Sequence, residues 1–113
     1  MNQSIAFIVH LPGKPERRAE LESRLLDVLE QMSKEPDFIN TYLHRSLEDP
    51  DTLVLYENWA CSEQHFRDHH LKASYRREYE AVLADLLKAP RTPEFLTPAM
   101  SRLVPACRPD LHA

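Results

Sequence analysis

With a single glycine, Gly13, in 113 residues, several function classes drop out at once. Phosphate-binding loops and the dinucleotide fingerprint need clustered glycines so that backbone N–H groups can approach a phosphate, and this chain has none to cluster. No serine is flanked by glycines as a nucleophile elbow requires. The two cysteines, Cys61 and Cys107, are too few and too far apart for a disulfide framework or a zinc cluster, so reduced structural thiols are expected. No apolar run approaches the roughly 20 residues of a membrane span, and the start Met1-Asn2-Gln3-Ser4 lacks the basic and apolar parts of a secretory signal. A cytoplasmic protein with no membrane partner is therefore expected. Fourteen Lys and Arg are scattered among eighteen Asp and Glu, for a net charge of −4. That is the wrong balance for tracking phosphates, and no nucleic-acid partner is expected.

What remains is an ordinary folding composition, 42% hydrophobic and 28% charged, in a chain long enough for one core and too short for two. Residues 1–104 are expected to form one domain. Residues 105–113 hold Pro105 and Pro109 and little apolar periodicity, and are expected to form a tail, loose or folded over a partner subunit.

Residues 5–11, Ile-Ala-Phe-Ile-Val-His-Leu, are a β-prone run closed by Pro12-Gly13 and predict a first strand. Pro15 suits a first helical turn, and Leu21, Leu25, Val28, Leu29 and Met32 recur at helical spacing until Pro36 forbids continuation. Residues 38–47 and 52–59 predict a hairpin around Glu48-Asp49-Pro50-Asp51, where Asp and Pro provide turn chemistry without glycine. Ser62 is a plausible N-cap for helical segments interrupted near Leu71. A last strand is expected within residues 94–103, edge-like because of Pro98. The order strand, helix, strand, strand, helices, strand predicts an α+β domain with the ferredoxin-like split βαβ arrangement and an antiparallel sheet. By simple alternation Phe38 and Tyr42 oppose Ile39 and Leu43, while Leu53, Leu55 and Trp59 oppose Val54 and Tyr56. Both sheet faces then need cover. One chain has helices for one face, so a homodimer is expected.

The segment Leu55-Tyr56-Glu57-Asn58-Trp59, followed by Ser62 and by Phe66 and His69, resembles the antibiotic biosynthesis monooxygenase family and its quinol-monooxygenase-like members. The shared pattern is a strand ending in Glu-x-Trp, an acidic helix start, an apolar residue and a His three positions later. The Pro12-Gly13 turn, the first helix and the hairpin also fall where that family places them. The resemblance implies a dimeric α+β barrel with a pocket between sheet and helices. It also implies oxygenation of a small aromatic, quinol- or anthrone-like substrate by molecular oxygen without metal, flavin or haem. Carried over by position, His69 is the expected base or hydrogen-bond partner, and Trp59, Tyr56 and Phe66 line the substrate pocket. A neutral imidazole at pH 7 suits proton acceptance.

The chain also departs from the better-described members. They have an Asn four residues before the Trp, where Leu55 stands, and an Arg about twenty residues after it, where Tyr79 stands. These departures keep open a non-catalytic dimeric barrel that binds a ligand or serves in stress response. A haem-degrading branch of the fold also places a His ten residues after a Trp, but its first-strand Asn has no counterpart in residues 5–11. His65 and His69 share a helical face, yet Phe66 stands where a His-Glu-x-x-His motif has its Glu, so no metal is expected. Glu57, Glu63 and Asp68 do not announce an acid/base pair.

Overall fold

A computed structural model describes residues 3–100 and 102. Strand β1 (Ile5–Pro12) leads through a short 3-10 turn at Pro15–Arg17 into helix α1 (Arg18–Met32). Strands β2 (Phe38–Arg45) and β3 (Thr52–Trp59) form the hairpin, and helix α2 (Glu63–His65) runs on into a wide turn at Phe66–His70. A 3-10 turn at Ser74–Arg76 opens helix α3 (Arg77–Leu86), and strand β4 (Thr92–Leu96) ends the described fold. The sheet order is β2-β3-β1-β4, every pair antiparallel. β1 and β2 thus run parallel with β3 between them, which is the split βαβ arrangement of a ferredoxin-like α+β domain.

Local chemistry accounts for these elements. Pro15 sits where its missing N–H costs nothing. Leu21, Leu25, Val28, Leu29 and Met32 form the buried stripe of α1. The hairpin turn is organised by Asp49, whose carboxylate accepts from the Thr52 hydroxyl at 2.8 Å and the Asp51 N–H at 3.2 Å. Ser62 caps α2 by accepting from the His65 N–H at 3.0 Å. Gly13 is the lone glycine because its backbone presses on the hairpin: its N–H donates to the Asp51 carbonyl at 3.0 Å. A Cβ there would lie 2.6 Å from that oxygen and 2.9 Å from Leu21 Cδ2.

One sheet face carries Phe7, Val9, Leu11, Leu53, Leu55 and Trp59 into a core closed by α1 and α3. The other carries Ile8, Tyr42, Val54 and Tyr56, with Tyr42 stacked on Tyr56 and 53% exposed.

Two expectations need correcting. A bulge between Phe38 and Asn40 shifts the register of β2, so Phe38 and Leu43 both pack on the core while Tyr42 faces away, against simple alternation. The last strand is shorter and earlier than residues 94–103, running from Thr92 to Leu96; it tolerates Pro93 because it is an edge. Residues 71–73 interrupt the helices, as the sequence predicts near Leu71, and α3 ends at Leu86. The boundary at 104 and the tail 105–113 lie outside the described residues. No helix among the described residues is long and apolar enough to cross a membrane.

Candidate active site

Between the core face of the sheet and the helices lies a cavity of about 170 Å³. Its walls are apolar and aromatic: Phe7, Val9 and Phe95 from the sheet, Leu25 and Met32 from α1, and Phe66 from the wide turn. Phe7 touches both Phe66 and Phe95, with ring centroids 5.1 and 5.4 Å apart. Into this wall project Glu57 from β3, Arg76 and Tyr79 from the start of α3, and Arg67 and Arg91 near the half-exposed Phe95 edge.

Glu57 is the unusual member. It occupies the inward position between Leu55 and Trp59 and is fully buried. Its Oε1 accepts from Trp59 Nε1 at 2.8 Å, whereas Oε2 is buried without a partner. Burial pushes the carboxyl up from 4.5 to about 7, only partly offset by the Trp59 hydrogen bond, the Arg76 guanidinium and the hydroxyl of Thr41, its cross-strand neighbour on β2. An isolated buried carboxylate is costly enough to prefer neutrality, and here the balance falls near neutral pH.

Arg76 is almost as buried, at 8% exposure. One terminal nitrogen donates to Glu80 at 2.8 Å and another meets the Met32 sulfur at 3.4 Å, leaving Nε buried and unpartnered. Glu80 also holds Arg91 through contacts of 2.8 and 3.1 Å. Burial pushes the Tyr79 phenol up to about 12, so it stays protonated. The cavity thus offers a proton acceptor, a fixed cation and a neutral hydroxyl inside an aromatic wall.

The residues singled out from sequence are dispersed. Phe66 lines the cavity. Trp59 is fully buried behind it, edge-on to Phe66 at 5.1 Å and bonded to Glu57, so it supports the wall without lining it. Tyr56 lies on the opposite sheet face, stacked on Tyr42, because it alternates with Leu55 and Glu57. His69 is exposed and outside this cavity. The wide turn, closed by Leu71 N–H donating to the Phe66 carbonyl at 2.9 Å, directs Phe66 and His70 inward and leaves Arg67, Asp68 and His69 outside. The inward partner of Phe66 is therefore four residues on rather than three.

Glu57 and Arg76 were missed, although a signal for each exists. Glu57 interrupts the inward series Leu53, Leu55, Trp59. Arg76 extends the helical stripe Tyr79, Leu83, Leu86 backward by one step. A charge on an apolar face is a better pointer than a histidine count. Arg76 also brings a guanidinium to the cavity from three residues before Tyr79, the position where the resemblance lacked one.

Comparison with known proteins agrees with this architecture. A protein from Mycobacterium tuberculosis superposes with a TM-score of 0.77 at 22% identity, covering 87% of this chain and 97% of its own. A protein from Caulobacter crescentus, provisionally described as an antibiotic biosynthesis monooxygenase, gives 0.78 at 21% identity, with coverages of 88% and 92%. A conserved protein from Methanosarcina mazei gives 0.75 at 21%, with coverages of 84% and 92%. At such identities the likeness is one of fold. No curated protein matches by sequence. The profile of the family described as antibiotic biosynthesis monooxygenase matches residues 4–81, more than half of the chain and all of the elements from β1 into α3. By that match, the chain belongs to the antibiotic biosynthesis monooxygenase family.

Proposed function

We propose that the protein is a monooxygenase that oxidises a one-ring quinol or similar phenol with molecular oxygen, Glu57 taking the phenolic proton. The observation that carries this reading is the pair of buried, unpartnered polar atoms lining one apolar cavity, Glu57 Oε2 and Arg76 Nε. A phenolic hydroxyl satisfies both: its O–H donates to the carboxylate, and its oxygen accepts from the guanidinium. As the proton leaves, the fixed cation stabilises the developing oxyanion in a site that excludes bulk water. A base with a pKa near 7 is suited to proton abstraction at neutral pH.

Cavity size narrows the substrate. An apolar cavity of about 150 Å³ accommodates benzene, so the 170 Å³ here holds one ring and not the three of an anthrone without opening. In this reading the substrate supplies the electrons, without a metal, flavin or haem cofactor. The deprotonated quinol passes one electron to oxygen, the two radicals join through a new C–O bond, and loss of water from the hydroperoxide leaves a carbonyl. Quinol plus O₂ gives hydroxyquinone plus H₂O, so atoms and electrons balance. The open sheet face with Ile8, Tyr42, Val54 and Tyr56 supports association of two copies through that face.

The test is oxygen uptake across a panel of one-ring quinols, catechols and three-ring anthrones. Stoichiometric uptake with a one-ring substrate supports the reading. Uptake by none of them removes it in favour of a barrel that only binds.

A further inference from the structure

We propose that Glu35, His69 and His70 form a binding site for a divalent transition-metal ion, for which zinc is the best fit. Each offers a ligand atom, and the three atoms lie within 4.8 Å of one another. None of these residues lines the cavity, so the site is separate from the proposed chemistry.

The decisive residue is His70. It is 2% exposed, and its Nε2 lies 2.9 Å from Asp37 Oδ2. A carboxylate only accepts, so Nε2 carries a ring proton, and in the neutral ring Nδ1 then presents a lone pair. That Nδ1 is buried with no hydrogen-bond partner. Glu35 Oε2, another acceptor, lies 3.9 Å from it. With the ring neutral, two acceptors face each other, and a cation between them satisfies both.

The surroundings are those of a metal ligand set. Asp37 behind His70 gives the carboxylate–histidine–metal relay that fixes the tautomer and raises ligand basicity. Tyr75 donates to Glu35 Oε2 at 3.0 Å and orients that carboxylate in the same way. His69 is exposed and stacked on His65, its ring centroid 4.8 Å from that of His70, and binding turns it onto the ion. With metal–ligand distances near 2.0–2.1 Å, tetrahedral zinc holds its ligand atoms about 3.4 Å apart. The 3.9 Å pair needs only a small closure to reach that spacing. Two imidazoles and one carboxylate favour zinc over the oxygen-seeking calcium and magnesium. The fourth position is open to water. The alternative grouping of Asp37, Cys61 and His70 would draw on His70 Nε2, which Asp37 already engages.

No local spacing marks this site, because Glu35 precedes β2 and His70 follows β3; only folding brings them together. The bound ion would tie the end of α1 to the wide turn beside Trp59, whose ring lies 4.5 Å from that of His70. A single proton shared between His70 and Glu35 is the competing explanation.

The experiment is calorimetric titration of chelator-treated protein with Zn²⁺ alone. The expected result is one ion per chain, with affinity lowered at least about tenfold in both His69→Ala and Glu35→Gln and unchanged in His10→Ala, which alters an exposed histidine on β1. Circular dichroism checks that each variant is folded, and His69 is exposed enough for its loss to leave the core intact. Absence of zinc uptake by the parent protein overturns the proposal in favour of the proton. Uptake that is equal in His69→Ala and the parent overturns it too, because the ion is then held elsewhere.

Discussion

Replacing Glu57 with glutamine should make the protein more stable above neutral pH while impairing its chemistry. The Glu57 carboxyl has an ordinary value of 4.5 when the chain is unfolded and about 7 when burial desolvates it. Between those values the folded state holds a proton that the unfolded state has released, so stability falls as pH rises through this window and is flat on either side. Each pH unit of that window is worth about 1.36 kcal/mol, which penalises the ionised folded form above pH 7 by about 3 kcal/mol. Glutamine keeps the shape and the oxygen that accepts from Trp59 Nε1, but carries no charge. Glu57→Gln and the parent should therefore be equally stable near pH 4, and the variant more stable by up to about 3 kcal/mol at pH 8. Trp59, the only tryptophan, is fully buried and reports urea unfolding by fluorescence, with protein concentration held fixed because association would shift the midpoint. A difference between variant and parent that does not grow from pH 4 to pH 8 would refute the claim that Glu57 is a strained, desolvated carboxyl.

Other substitutions probe the supporting structure. Trp59→Phe removes the hydrogen bond that lowers the Glu57 value, so the midpoint of any pH-dependent oxygen uptake should move upward. Trp59→Ala should cost about 3–5 kcal/mol in urea unfolding. Gly13→Ala forces a methyl group against the Asp51 carbonyl and Leu21 and should destabilise by about 1–3 kcal/mol, measured the same way. Tyr42→Asp places a charge on the open sheet face and should shift sedimentation toward monomer if two copies meet there. His69→Ala should leave oxygen uptake unchanged, whereas loss of a general base lowers turnover about 10²- to 10⁴-fold.

The elements could be read from the sequence because each has a local cause. Pro12-Gly13, Pro15, Pro36, Asp49 and Ser62 mark boundaries through backbone chemistry that acts within a few residues, and the structure places turns, starts and caps at those positions. The bulge at Phe38 to Asn40 was not legible, because an extra residue leaves the composition of a strand unchanged while reversing which side chains face the core. The cavity was harder still. Its polar atoms come from β3 and the start of α3, and their significance lies in burial and missing partners, which no short-range spacing encodes. Phe66 reaches the cavity wall because an aromatic on a helical stripe packs inward, whereas His69 stays outside because the wide turn puts His70 on the inner side.

The claim that Glu57 is the proton acceptor is tested most directly by kcat/KM for oxygen uptake on a one-ring quinol, measured from pH 5 to 9 for the parent and for Glu57→Gln. The account predicts a rising limb in the parent with a midpoint near 7, set by burial of the carboxyl. In Glu57→Gln that limb should vanish and turnover should fall by about 10²- to 10⁴-fold. A variant that keeps both the parental rate and the parental limb would contradict the account, and the proton acceptor would have to be sought in another side chain.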